Sequence, residues 1–205
     1  MTEKEKMLAG KIYDPSDDYL SKARIKAHRL SKLYNDTFED ELEKRAQILK
    51  ELLPNMGRDC CIMGPVQFDY GIFTEIGDRF FANFNLTVLD CCPVKIGSDV
   101  MFGPNVSVMT PVHPLRYQDR NMRVRENGEL YDLEYARPIT IGDNCWIAAN
   151  VTITGGVTIG SGSVIGAGSV VTRDIPENCL AVGNPCRVIR EITDKDDIML
   201  KDYLW

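Results

Sequence analysis

The chain has 205 residues, 44% hydrophobic and 26% charged, with a formal net charge of −6. That length suits one compact core with an appendage and the composition is that of a soluble globular protein, while the acidic balance gives no electrostatic reason to bind nucleic acid or an anionic membrane. The opening M-T-E-K-E-K-M-L-A-G is charged from its third residue and holds no unbroken apolar stretch, which predicts neither a secretory signal nor a membrane span and places the protein in the cytoplasm.

From about Asp17 to Leu53 the chain is rich in Lys, Arg, Glu, Leu and Ala. Leu30, Leu33 and Tyr34, and then Leu42, Ala46 and Leu49, stand at helical spacing, so two helices are expected in a segment 1–57. The break falls at N-D-T-F-E-D, where Asp36 or Thr37 is expected to cap the second helix, and Pro54 with Gly57 closes it. Such helices either cover the end of the following repeat or help to wall a substrate site.

Beyond residue 58 the period changes to six. Ile62 and Phe68 begin it; Ile76, Ala82 and Val88 continue it, then Ile96, Phe102 and Val108, and finally Ile141, Ile147, Ile153, Ile159, Ile165 and Val171. Six residues fit neither a helix nor an alternating strand, and the pattern predicts an all-β repeat in which each hexapeptide gives one short strand and one corner. The aliphatic residue points inward, and Gly, Asp or Asn lets the chain turn. Three hexapeptides make a coil, and a domain 58–190 results, followed by a tail 191–205. Two interruptions, L-D-C-C-P-V-K and the stretch 114–138, must leave the stack as loops.

Seven cysteines form an odd set with two adjacent pairs and no C-x-x-C, which predicts reduced thiols. Only two histidines exist. His28 lies in a basic helical run and reads as solvated surface, whereas His113, in T-P-V-H-P-L, sits on stiff backbone where the repeat leaves for its long loop. Imidazole titrates near working pH, so His113 is the candidate general base. Asn83, Asn85 and Asp90, from neighbouring repeats, are its candidate polar partners, with Asn85 assigned to a ladder of corner residues.

A-N-F-N-L-T-V-L-D, I-G-S-D-V-M-F-G-P-N-V, T-P-V-H-P-L, P-I-T-I-G-D-N-C-W-I, V-I-G-A-G-S-V-V-T-R-D-I-P and V-G-N-P-C-R-V-I-R, together with the N-terminal E-K-M-L-A-G-K-I-Y, resemble the maltose/galactoside O-acetyltransferase family of hexapeptide-repeat enzymes. The resemblance implies a left-handed parallel β-helix assembled as a homotrimer with sites between subunits, acetyl-coenzyme A as co-substrate, no metal, and a sugar hydroxyl as acceptor. By the same resemblance His113 is the base and Asn83 positions the acceptor. Arg24, Asp69 and Leu130 contact the sugar; an acidic contact slides across Asp14, Pro15 and Asp17, and Asp17 is taken. Coenzyme contacts fall on Ala149, whose N–H faces the thioester, and on Ala167, Thr172, Arg173, Arg187 and Arg190. Guanidinium groups suit phosphates, in keeping with those three arginines. Trp146 reads as a wall of the coenzyme channel or a core filler. Cys91 stands where some members carry a second carboxylate, which bears on acceptor preference.

Three alternatives share the prism. A trimeric zinc carbonic anhydrase needs three imidazoles per metal, more than His113 and His28 supply. A xenobiotic O-acetyltransferase uses the same base and coenzyme but differs in its N-terminal segment, and a non-catalytic scaffold would not need the histidine, asparagine and arginine set.

Overall fold

A computed structural model describes residues 1–201 and 204. The repeat forms a left-handed parallel β-helix whose three sheets stack strands from successive coils. The first sheet stacks Thr74–Ile76, Val94–Ile96, Ile139–Ile141 and Thr158–Ile159. The second stacks Cys61–Ile62, Phe81–Ala82, Met101–Phe102, Trp146–Ile147, Val164–Ile165 and Cys179–Val182, and Arg187–Glu191 closes it antiparallel. The third stacks Val66–Phe68, Leu86–Leu89, Ser107–Met109, Thr152–Thr154 and Val170–Val171.

Register follows the six-residue period. Ile76, Ile96, Ile141 and Ile159 form one inward column, Ile62, Ala82, Phe102, Ile147 and Ile165 a second, and Phe68, Val88, Val108, Ile153 and Val171 a third. All are buried, and burying such a side chain contributes roughly 1.5–3 kcal/mol. Ile62 and Phe68 therefore do lie in the first strands, and Met56, bridged in parallel to Ile76, precedes them in the same period.

Two of the three edges turn through left-handed residues in register. Between the second and third sheets these are Asn85, Asn105 and Asn150, with φ of 62°, 60° and 58°, followed by Gly168. Asparagine tolerates this conformation, and its amide bonds to the next coil: Asn85 Nδ2 donates to Asn105 at 2.9 Å and Asn105 Nδ2 to Asn150 at 3.0 Å. Between the first and second sheets Arg79, Asp99 and Asn144 do the same. The third edge is irregular, and both interruptions of the repeat leave there, at 90–93 and 110–138.

Three helices precede the prism: α1 (Glu3–Leu8), α2 (Asp18–Asn35) and α3 (Leu42–Leu52). Two were expected. α1 is extra, started by a Thr2–Glu5 capping box. The expected cap of the last helix is also corrected: Asp36 ends α2, the Thr37 hydroxyl donates to the Tyr34 carbonyl, and α3 starts later, after Glu41. Leu33 and Leu42 face solvent, while Leu30, Tyr34, Leu49 and Leu52 join the apolar core over the first coil. Among the described residues no helix is long and apolar enough to cross a membrane.

Ile153 lies at 0% exposure in the middle of its column. Ile153→Asp places a charge without a partner in a dry stack and is expected to give insoluble or unfolded protein; soluble yield and thermal melting check this, and an unchanged melting temperature would refute the columns.

Candidate active site

The irregular edge gathers polar side chains from successive coils. Asp69 follows the strand Val66–Phe68, Asp90 and Cys91 follow Leu86–Leu89, and His113 follows the short strand Pro111–Val112. The inserted stretch carries a short helix α4 (Tyr117–Arg120) and a hairpin of Arg123–Val124 with Leu130–Tyr131. It returns through Tyr135–Ala136, which pairs antiparallel with Pro111–Val112 and so brings Glu134 back beside His113.

Pinning of that stretch comes from the N-terminal segment. Arg125 Nη2 bonds Asp14 and reaches Ser16 Oγ at 3.0 Å. Burial pushes the Asp14 carboxyl up, but bonds from Ser16 and Arg125 outweigh it and leave it below the ordinary range. Tyr13 pairs through its backbone with Glu134, and its hydroxyl donates to Glu134 Oε1.

The other carboxylate oxygen, Glu134 Oε2, stands 3.9 Å from His113 Nε2. The His113 side chain is 49% exposed and the Glu134 side chain 13%, so a solvent-accessible imidazole leans on a mostly buried carboxyl. Burial pushes the Glu134 carboxyl above the ordinary glutamate range, opposed by the Tyr13 hydroxyl and the His113 charge and reinforced by Asp132 and Asp69. The cluster continues inward. Cys91 lies beside Tyr13 and donates to Asp69 Oδ2 at 3.4 Å, and His28 Nε2 stands 3.5 Å from Asp69 Oδ1. Burial pushes the Cys91 thiol well up, with Asp69 and Glu134 adding to it, so this sulfur is a neutral neighbour and not a nucleophile.

Several expectations change. Asp90 is no partner of His113: it is 0% exposed and accepts from Tyr70 N at 2.8 Å, Phe73 N at 3.3 Å and Thr74 Oγ1 at 3.0 Å, so it fills the buried corner. Asn85 serves the ladder. His28, though half exposed, points at Asp69 and is more than solvated surface. Glu134 was not singled out by sequence reasoning, because it stands at the far end of the inserted stretch with no motif around it. Among the sugar-contact candidates, Asp69 belongs to the cluster. Arg24 lies nearby, 3.4 Å from both the Tyr70 hydroxyl and the Pro15 carbonyl. Asp17 caps α2 by accepting from Tyr19 N and Leu20 N, both at 3.1 Å. Leu130 is 60% exposed on the hairpin.

The remaining candidates divide between two edges. Thr172 and Arg173 follow the third-sheet strand Val170–Val171, on the His113 edge. Asn83, Ala149 and Ala167 lie on the edge between the second and third sheets, in the turns after Phe81–Ala82, Trp146–Ile147 and Val164–Ile165. The Asn83 carboxamide accepts from Phe84 N at 2.8 Å. A third-sheet strand separates the two edges, roughly 10–13 Å for three to four residues, and among the described residues no hydrogen bond joins Asn83 to His113 within one protomer. Arg187 and Arg190 lie on the closing strand, with Arg190 paired to Asp196 at 2.6 Å. Trp146 is 49% exposed on the outer face of the second sheet and is therefore not a core filler.

Residues 6–57 match the maltose acetyltransferase hexapeptide capping motif, and residues 138–173 match six bacterial transferase hexapeptide repeats. The galactoside O-acetyltransferase of Escherichia coli K12 is 43% identical over 200 residues, covering 97% of this chain and 94% of that protein. The chain belongs to the maltose and galactoside O-acetyltransferase family. The crystal structure of a maltose O-acetyltransferase from Clostridium difficile 630 superposes with a TM-score of 0.86 at 47% identity, covering 95% of this chain and 99% of that one. A galactoside acetyltransferase in complex with coenzyme A gives 0.86 at 43% identity, covering 96% and 94%. Family membership extends through the helices as well as the prism, since the capping motif spans α1 to α3.

Proposed function

We propose that the chain transfers the acetyl group of acetyl-coenzyme A to a hydroxyl of a small sugar or glycoside, as the names of its relatives indicate for them, with His113 as general base. The observation that carries the mechanism is the His113–Glu134 pair, an accessible imidazole 3.9 Å from a mostly buried carboxyl. The neutral imidazole takes the proton of the acceptor hydroxyl as that oxygen attacks the thioester carbonyl. The carbon–sulfur bond then breaks, and the imidazolium returns the proton to the leaving sulfur. No covalent enzyme intermediate is required. Glu134 offsets the positive charge of the ring while the proton is held.

Ala149 supports the oxyanion role. Its N–H donates no backbone hydrogen bond among the described residues, which leaves it open to a developing negative oxygen. Small side chains at Ala149 and Ala167 leave room for a long pantetheine arm along that edge, and Arg173 and Arg187 supply positive charge for its phosphates, joined by Arg190 once it leaves Asp196. Asp69 and Arg24, with His28 and Cys91 beside them, form the acceptor side.

The division of these residues between two edges calls for a second protomer. Outward positions of the first sheet read Glu75, Lys95, Thr140 and Thr158, whereas those of the second read Cys61, Phe81, Met101, Trp146, Val164 and Leu180. That apolar stripe, with Met101 52% exposed and Trp146 49%, borders the Asn83–Ala149 edge and suits burial against another copy. A cyclic trimer brings the Asn83 edge of one protomer to the His113 edge of the next. The same reading places the enzyme in the cytoplasm and calls for no metal. Residues 6–57 favour the sugar acceptor over a drug hydroxyl, because they match the capping motif named for maltose acetyltransferase.

His113→Ala should keep the assembly and coenzyme binding while lowering turnover by roughly 10²- to 10⁴-fold, read by thiol release from acetyl-coenzyme A across sugars, antibiotics and amines. A loss of less than a log unit means another base, and turnover confined to antibiotics removes the sugar assignment. Asn83→Ala should damage mainly the use of acceptor; normal sugar kinetics would contradict its role.

A further inference from the structure

Tyr13 has no part in the chemistry described so far, yet it is one of the largest side chains in the interior, 1% exposed. A buried phenol costs free energy unless its hydroxyl is bonded. Its backbone pairs with Glu134 in both directions, Tyr13 N to the Glu134 carbonyl at 3.0 Å and Glu134 N to the Tyr13 carbonyl at 3.3 Å. Those two bonds already fix the N-terminal segment to the returning stretch. The hydroxyl contact adds something they do not: it ties Oε1 of a side chain with several rotatable bonds, and that decides where Oε2, the oxygen beside His113, points.

We infer that Tyr13 is a positioning residue for the transfer reaction, its hydroxyl holding one oxygen of Glu134 so that the other faces the His113 ring. The inference rests on the reading of His113 as base. Tyr13 is supplied by the segment before α2, so the capping region takes part in chemistry on the prism.

Four groups face the Glu134 carboxyl: Tyr13 from the N-terminal segment, His113 from the start of the inserted stretch, Asp132 from its end, and Asp69 from the first coil. The Cys91 thiol lies behind Tyr13. Burial and the two aspartates favour the protonated acid, while Tyr13 and His113 favour the carboxylate. Removing the phenolic hydroxyl deletes a donor to the carboxylate and leaves the opposing groups in place, so Glu134 keeps its proton to higher pH.

The test compares pH profiles of kcat and kcat/KM for full-length Tyr13→Phe, Glu134→Gln and the double variant. Tyr13→Phe retains the ring and the backbone pairing. It should lower kcat about tenfold and leave the KM for acetyl-coenzyme A unchanged. Adding it to Glu134→Gln should cause no further loss, because both act through one carboxylate. Normal kcat, a loss that falls on the KM for acetyl-coenzyme A instead of kcat, or losses that multiply in the double variant would overturn the inference. His113→Ala separates the two readings: if it stays active the base assignment fails, and if it is inactive while Tyr13→Phe behaves normally only the Tyr13 assignment fails. Should Tyr13→Phe not fold, 3-fluorotyrosine at position 13, a stronger donor of nearly the same shape, must change kcat in the otherwise unmodified chain and leave it unchanged beside Glu134→Gln, and an equal effect in both backgrounds overturns the inference.

Discussion

One coil of this prism cannot cover its own apolar side chains, so every coil depends on the columns it shares with the coils above and below. That constraint fixes an inward aliphatic residue at each sixth position and allows almost no freedom at the strands. It also fixes two edges, because the turns there use left-handed residues whose bonds run to the next coil. Only the third edge is free to lengthen. Both interruptions use it, and a polar cluster collects there as a consequence: Asp69, Cys91, His113 and Glu134 come from positions far apart in the chain but stand at one edge of the prism.

The site combines opposed demands. In the proposed role the imidazole has to meet a hydroxyl arriving from solvent, and the His113 side chain is half exposed. The carboxyl 3.9 Å from it is mostly buried, which favours its protonated form, and the Tyr13 hydroxyl counters that burial. The N-terminal helices therefore do more than close the end of the solenoid. They deliver Tyr13, Asp14, Arg24 and His28 to the same edge, and the Asp14–Arg125 bond holds the inserted stretch against them.

How much of this was legible in the sequence depends on the range of the signal. A six-residue period is local and repeated, so the columns could be read directly, down to Ile62 and Phe68. The corner role of Asn85 followed from the same regularity. His113 stood out because the chain has only two histidines and because prolines flank it. Glu134 could not be read, since the path of 114–138 is set by pairing of Tyr135–Ala136 with Pro111–Val112 and not by any local period. α1 was missed for a different reason: six residues are too few for helical spacing to show, although the T-E-K-E box that starts it was there. Asp90 misled because a carboxylate near the candidate base invites a catalytic role, whereas it fills a closed corner with three donors. His28 was discounted for its basic neighbours, and only the packing of α2 beside Asp69 reveals its direction.

The central claim is that each site joins the His113 edge of one protomer to the Asn83 edge of another. Co-expressing His113→Ala and Asn83→Ala chains in equal amounts and assaying the mixed assemblies at subsaturating sugar tests it most directly. Random mixing in a cyclic trimer leaves about one quarter of the sites with both residues intact, so activity should rise to about a quarter of the unmodified enzyme. Activity no greater than the average of the two variants assayed separately would show that both residues serve from a single protomer and would contradict the account.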